Sequence, residues 1–131
     1  MRKSVDWRPA EDIKRRILEI LRQTSLDHID LSRVFIFRSF GSKARAYARI
    51  WALPRIWQQA LHTSPGYCIE ILAEKFDHLP REKQTKILIH ELLHIPKTFS
   101  GSLAQHRGRG RYGVCHQKVE KVFREFYKNR K

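Results

Sequence analysis

The segment from His90 to His94, with the sequence H-E-L-L-H, constrains this chain more than any other feature. Two histidines at this spacing on an α-helix project from one face about one turn apart, so their imidazoles can converge on one metal ion. Apolar residues around the motif recur at core spacing, which predicts an amphipathic helix. Pro80 begins that helix, and Pro96 ends it because proline lacks the amide hydrogen that a helix interior needs. The motif is expected in its last one or two turns.

Glu91, beside the first histidine, completes the chemistry of the motif. On a helix its carboxylate points towards the metal without occupying a ligand position, where it can take a proton from water. Zinc lowers the pKa of the water that it binds towards ~7 and polarises a carbonyl oxygen as a Lewis acid. The pattern therefore indicates zinc ligation by His90 and His94, with Glu91 as the general base of peptide-bond hydrolysis. The alternative is that both histidines are exposed helix residues without a metal.

A catalytic zinc site needs a third protein ligand and an open position for water. Two downstream histidines are the main candidates for that ligand. His106 follows His94 by twelve residues, across a glycine-containing loop that can fold back over the motif, and His116 opens the last predicted helix. Cys115 and Glu120 are chemically admissible but poorer choices. Spacing alone leaves both histidines open.

Hydrophobic periodicity in the remainder of the chain predicts an α+β fold and one domain over residues 1–131. Helical spacing predicts an N-terminal amphipathic helix from Pro9 to about Thr24 and a C-terminal helix from about Val114 to Lys128. Three strands are predicted at residues 33–38, 44–53 and 67–73, with helix as the alternative for the alanine-rich second one, and a short helix begins at Pro54.

The charge of the chain indicates possible partners, because 27 Lys+Arg against 13 Asp+Glu leave a formal net charge of +14. Such a field attracts nucleic acid or acidic proteins. Arg107, Arg109 and Arg111, in a glycine-rich run, are the candidate phosphate contacts. The aromatic residues Tyr47, Trp51 and Trp57 could stack on bases but are assigned to the core. No apolar stretch approaches the length of a bilayer span, and no signal sequence is recognisable, so a cytoplasmic location without membrane contact is expected.

The sequence around the motif resembles a family of putative metallopeptidases found in archaea and phages. The resemblance rests on segments 75–77, 88–97 and 99–101, and it continues upstream through 41–46 and 52–57 and downstream through 119–121. It implies a zincin-like fold reminiscent of the SprT-like proteases, which act on proteins attached to or near DNA. It also implies a small mixed sheet beside the H-E-x-x-H helix, and a histidine after the Ser-Gly loop that completes the site. His106 matches that last position and is therefore preferred to His116.

Two functions remain as hypotheses at this point. In the first, the chain is a zinc-dependent peptidase in which an extended substrate pairs with an edge strand at 67–73 and presents its carbonyl to zinc. In the second, it is a nucleic-acid-binding module without hydrolytic activity, where zinc only ties the last loop to the core. The two can combine if basic residues recruit a peptidase to nucleic-acid-bound proteins.

Overall fold

The computed structural model describes residues 4–106 and 114–129, which form four strands, five α-helices and one short 3-10 helix. The elements follow in the order β1 (Asp6–Pro9), α1 (Glu11–Gln23), the 3-10 helix (Leu31–Arg33), β2 (Val34–Phe40), β3 (Ala48–Ala52), α2 (Arg55–Leu61), β4 (Tyr67–Leu72), α3 (Ala73–Phe76), α4 (Arg81–Leu93) and α5 (His116–Asn129). The α+β class is confirmed. The alanine-rich segment is a strand, although only its second half, β3, is extended.

The strands form one mixed sheet in the order β1-β2-β4-β3. β2 and β4 are parallel, whereas β1 pairs with β2 and β3 pairs with β4 in antiparallel register. The sheet therefore has four strands rather than about three. β1 escaped prediction because four exposed residues that end in Pro9 are too short a run to show a strand period.

The expectation that residues 67–73 form an edge strand is wrong. β4 is hydrogen-bonded to β2 on one side and to β3 on the other, so it has no free edge. A strand paired on both sides and packed in the interior is typically a nearly continuous hydrophobic run, and five of the six residues of β4 are buried. The edge strand on this side of the sheet is β3, which follows from strand order and not from composition.

One face of the sheet packs against the helices and forms the core. Its contributors include Ile36 on β2 and Ile69 on β4, which are adjacent in register and both buried. α1 supplies Ile13, Ile17 and Ile20, and α5 supplies Val119, Val122, Phe123 and Phe126. The N-terminal and C-terminal helices are thus amphipathic and packed on the core, as their periodicity predicts.

The assignment of three aromatic residues to the core is wrong. Tyr47, Trp51 and Trp57 are 40%, 49% and 54% exposed. Trp51 lies on the face of β3 opposite to the core residues, and Trp57 lies on α2, a helix without buried residues. Alternation in β3 identifies the two faces of the strand, but it does not reveal that only one face is covered.

α4 is the central helix, and it packs against β3 and α5. The expected amphipathic pattern does not describe its C-terminal half, because the polar residues Glu91 and His94 are buried together with Leu88, Ile89 and Leu92. Buried polar groups require hydrogen bonds, charge partners or a ligand. Among the helices in the described ranges, none is long and apolar enough to cross a membrane.

Candidate metal centre

The C-terminal end of α4 carries the two histidines of the motif. His90 is half-buried and His94, the C-terminal cap of the helix, is buried. Their Nε2 atoms lie 3.3 Å apart. The convergence follows from the helical period, which puts residues four apart on one face.

His94 is held in place by two hydrogen bonds to one residue. Its backbone carbonyl accepts a hydrogen bond of 2.7 Å from the amide of Ala104. Its Nδ1 atom in turn contacts the carbonyl oxygen of Ala104 and can donate a hydrogen to it. Donation from Nδ1 leaves a lone pair on Nε2, which is the state that a metal ligand needs. This pairing also brings the chain back over the motif two residues before His106.

His106 completes the cluster from the other side. The amide of Val114 donates to the carbonyl of Gln105 at 2.8 Å, and His106 and Val114 form an isolated parallel bridge. The Nε2 atom of His106 lies 2.8 Å from that of His90 and 3.2 Å from that of His94. The three-histidine cluster, His90, His94 and His106, therefore has its three nitrogens directed at one point.

These distances test whether the cluster fits a metal ion. A tetrahedral ion with Zn–N bonds of ~2.0–2.1 Å separates its nitrogen ligands by roughly 3.4 Å. Two of the three Nε2 pairs, at 3.2 and 3.3 Å, already have nearly this spacing, and the pair at 2.8 Å needs a small opening. Neutral imidazole is a preferred ligand of zinc and other late transition metals. The donor set and its spacing fit a divalent metal of this kind.

Electrostatics keep the histidines of the motif in the neutral form that binds metal. Burial lowers the pKa of His90 to about 4, and repulsion from the protonated forms of His94 and His106 acts in the same direction. Burial also lowers the pKa of His94. Near neutral pH, both side chains therefore offer nitrogen lone pairs rather than positive charge.

Glu91 is the buried carboxyl group beside the cluster. It is 6% exposed, and burial raises its pKa from 4.5 to about 8. Desolvation disfavours the charged form of a carboxyl group, so in the absence of a nearby cation Glu91 holds a proton near neutral pH. A strongly perturbed carboxyl group next to convergent ligands is typical of a catalytic site.

A cavity of about 1260 Å³ opens beside the histidines and Glu91. It lies between β3 on one side and α4 and the start of α5 on the other, and it is lined by residues 46–50 of the β3 segment. Leu103 and Ala104 form another part of its wall. The cluster is thus accessible from a space large enough for a peptide segment.

The loop from α4 to His106 is fastened to the start of β4. The buried hydroxyl group of Tyr67 donates to the carbonyl of Ser102 and accepts from the amide of Gly101, both at 2.9 Å. The ring of Phe99 packs edge-on against Tyr67 with 5.1 Å between centroids. Gly101 has φ +95°, and a Cβ atom there would lie 2.2 Å from Nε2 of Gln58. The positive φ and the carbonyl oxygen of Leu53, which would lie 3.1 Å from that Cβ atom, therefore favour glycine at this position.

The other candidates from the sequence are not brought into the cluster. His116 is exposed at the start of α5 and lines the same cavity. Among the described residues, however, only His90, His94 and His106 bring their ligand nitrogens together. Glu120 pairs with Lys86 at 3.0 Å, and Cys115 is a free thiol. The predicted phosphate contacts, Arg107, Arg109 and Arg111, lie outside the described residues.

Several supporting contacts were not expected from the sequence. Ala104 acts through its backbone, so its residue type gives no signal. Tyr67 resembles any other aromatic residue at the start of a strand. Nε2 of His28 lies 2.9 Å from the carbonyl oxygen of Ile95, the residue that follows His94. Nothing in the position of His28 in the sequence indicated this contact. Only Gly101 carried a signal, as a glycine after serine in a loop.

An α+β fold with an H-E-x-x-H helix and a third convergent histidine has the elements of a metal-dependent peptidase. The comparison with known families agrees. Residues 5–128 match the family described as putative phage metallopeptidase, and the chain belongs to this family. No curated protein and no solved structure gives a significant match.

Proposed function

We propose that this protein is a zinc-dependent peptidase in which His90, His94 and His106 hold the metal and Glu91 is the general base. The observation that carries the proposal is the convergence of three Nε2 atoms within 3.3 Å of one another beside a buried carboxyl group. The family to which the chain belongs supports a peptidase.

Each residue of the proposed site has a distinct task. Zinc, when held by the three histidines, would supply Lewis acidity for the attacking water and the substrate carbonyl. The three histidines provide neutral nitrogen ligands and leave the cavity side of the cluster for water and substrate. Positive charge held there favours the ionised form of Glu91, against the effect of its burial. The carboxylate then accepts a proton from the attacking water and passes it to the leaving amine.

The substrate is expected to bind as an extended strand along β3. This strand is an edge strand of the sheet, and residues of its segment line the cavity that reaches the cluster. Unpaired amide and carbonyl groups of an edge strand can bond to any extended peptide, whatever its side chains. We therefore expect the substrate to pair with β3 and not with β4. The peptidase should then show only weak preference for particular substrate sequences.

Metal content tests the ligand set. We expect about one zinc per chain after loosely bound metal is removed, and loss of that zinc in a His106→Ala variant. His116→Ala is the matched control, because it removes an imidazole from the same cavity and should retain zinc. Zinc loss only in His116→Ala would contradict the proposed third ligand, and a zinc-free wild type would contradict the metal site as a whole.

Hydrolysis of an unfolded protein substrate tests the base. Glu91→Gln should retain zinc and lose at least a hundredfold in rate, as expected for removal of a general base. Unchanged proteolysis in this variant would refute the mechanism. If the wild type and Glu91→Gln both retain zinc and neither hydrolyses the substrate, the second function, a metal-stabilised nucleic-acid-binding module, is favoured instead.

A further inference from the structure

The face of the sheet opposite to the helices carries aromatic side chains at the surface. By strand register and residue alternation, this open sheet face consists of Trp7, Pro9, Phe35, Phe37, Ser39, Arg49, Trp51, Cys68, Glu70 and Leu72. Of these residues, Ser39, Glu70 and Leu72 are buried. Trp7, Phe35 and Trp51 are 54%, 42% and 49% exposed. The residues that alternate with them on β2 and β4, such as Ile36 and Ile69, are buried under the helices.

An apolar hollow of about 480 Å³ lies between Trp7, Phe37 and Trp51. Exposing several large aromatic rings together is unfavourable, since each can bury 150–250 Å². Scattered apolar residues at a surface are common, but a contiguous exposed patch marks an interaction site. The open sheet face therefore has the properties of a binding surface, on the opposite side of the sheet from the three-histidine cluster.

Two of the aromatic rings are paired with arginines. The guanidinium carbon of Arg33 lies 5.6 Å from the ring centroid of Phe35, and that of Arg49 lies 4.9 Å from Trp51. Glu70 fixes the second pair, because one of its carboxylate oxygens accepts hydrogen bonds from Arg49 at 2.7 Å and from the Trp51 indole at 2.9 Å. Both pairs are thus oriented arrangements of ring and cation.

The charge of the first arginine is not neutralised. Arg33 donates hydrogen bonds to Thr63 and to the carbonyls of Ser64 and Pro65, and within the described ranges it has no carboxylate partner. These bonds hold the guanidinium in place beside Phe35 while its positive charge remains available to a ligand. The chain as a whole has a formal net charge of +14.

We propose that the open sheet face binds single-stranded nucleic acid, with bases stacked on Phe35, Trp51 and Trp7 and with Arg33 near phosphate. Phe35 and Trp51 flank Cys68 in register on β2 and β3, so they lie two strand spacings, roughly 10 Å, apart. Aromatic rings on a sheet can stack with any of the bases, and arginine adds cation–π and phosphate contacts. A partner with an acidic backbone suits this surface better than an apolar protein partner, which would bury the charge of Arg33.

The consequence is that one molecule can hold a nucleic-acid strand and a peptide at the same time. The peptide would lie along the edge of β3 beside the three-histidine cluster, and the nucleic acid would lie on the open sheet face. The nucleic acid would thereby bring the peptidase to other proteins bound on it. The binding itself does not depend on the proposed function, because no residue of the three-histidine cluster takes part.

Fluorescence anisotropy of a labelled thymidine 20-mer, titrated with the full-length Glu91→Gln protein, measures this binding apart from hydrolysis. Stacking is worth ~1–3 kcal/mol per base. Phe35→Ala and Trp7→Ala, introduced separately in that background, should each weaken binding by about tenfold or more. Trp57→Ala is the matched control, since it removes a tryptophan that is equally exposed but lies on α2. Far-ultraviolet circular dichroism confirms that each variant is folded.

Two further measurements complete the test. Arg33→Gln should weaken binding and reduce the dependence of the dissociation constant on salt concentration, as loss of one phosphate contact does. A duplex of the same length should bind more weakly than the single strand, because its bases are not free to stack.

The proposal is overturned if the 20-mer does not bind, if the aromatic variants bind as the control does, or if duplex binds equally well. Loss of binding only when Arg107, Arg109 and Arg111 are replaced together would assign the contact to the arginine run instead. Absence of any oligonucleotide binding would leave a protein partner as the occupant of this face.

Discussion

Replacement of Glu91 by glutamine in the metal-free protein should change how its stability depends on pH. Burial raises the pKa of this carboxyl group from 4.5 to about 8. The unfolded chain therefore releases the proton at lower pH than the folded protein does. Glutamine has nearly the same size but no proton to release, so the variant removes this dependence and leaves the packing similar.

The direction and size of the effect follow from linkage. Between pH 4.5 and about 8 the folded state binds one proton more than the unfolded state at this residue, so its contribution to the free energy of unfolding falls as pH rises. That contribution is fully present below pH 4.5 and is gone above about pH 8. Each pH unit in this window corresponds to about 1.4 kcal/mol, or about 3 kcal/mol between pH 5 and pH 7. Small domains are stable by ~5–15 kcal/mol, so the change is large.

Urea unfolding in the presence of a chelator, at several pH values from 5 to 7.5, measures this quantity for the wild type and for Glu91→Gln. Burial lowers the pKa of His90 and of His94 in both proteins, so their contributions cancel in the difference. Glu82→Gln is the control, because it removes an exposed carboxylate from the same helix and should follow the wild type. Parallel curves for wild type and Glu91→Gln would refute the claim that Glu91 is desolvated in the folded protein.

Two further predictions concern the loop that delivers the third histidine. Tyr67→Phe removes two hydrogen bonds of 2.9 Å to this loop. Its zinc affinity, measured by competition with a chromophoric chelator, should be about tenfold weaker, as is typical when a contact that supports a metal ligand is lost. The control Tyr47→Phe should bind zinc as the wild type does. Gly101→Ala should lower the free energy of unfolding by about 2 kcal/mol, because its φ is positive and the new Cβ atom would approach the backbone carbonyl of Leu53 and displace the Gln58 side chain. Gly41→Ala, at φ +86° in open space, should destabilise the protein less and leave zinc affinity unchanged. Equal zinc affinity in Tyr67→Phe and wild type, or equal destabilisation by the two glycine variants, would contradict this account.

The part of the site that lies on one helix was predictable because it depends on local spacing. The helical period alone places His90 and His94 on one face with Glu91 beside them, and Pro80 and Pro96 set the limits of the helix. The same reasoning predicted an amphipathic helix, and there it failed. The C-terminal half of α4 is buried on several sides because the sheet and the other helices pack around it, and such packing cannot be deduced from the sequence of the helix alone.

The third histidine could not be predicted from spacing, because non-local backbone contacts place it. His106 reaches the cluster through the pairing of Ala104 with His94 and through its bridge to Val114. Neither contact depends on a recognisable residue type. His116 also lines the same cavity. The sequence therefore offered two candidate histidines, and only the path of the loop after α4 decides which of them meets His90 and His94. Family resemblance supplied the preference that periodicity could not.

Strand order is the piece of information that most changes the functional interpretation. Five of the six residues of β4 are buried, and this strand was expected to receive the substrate, but parallel pairing with β2 and antiparallel pairing with β3 close both of its edges. The same order makes β3 an edge beside the cavity and places Trp51 on the opposite face of that strand. A single strand therefore offers its backbone edge to a peptide and an aromatic side chain to a second ligand. Both proposals depend on β3, and they can be tested separately because one uses its backbone and the other its side chains.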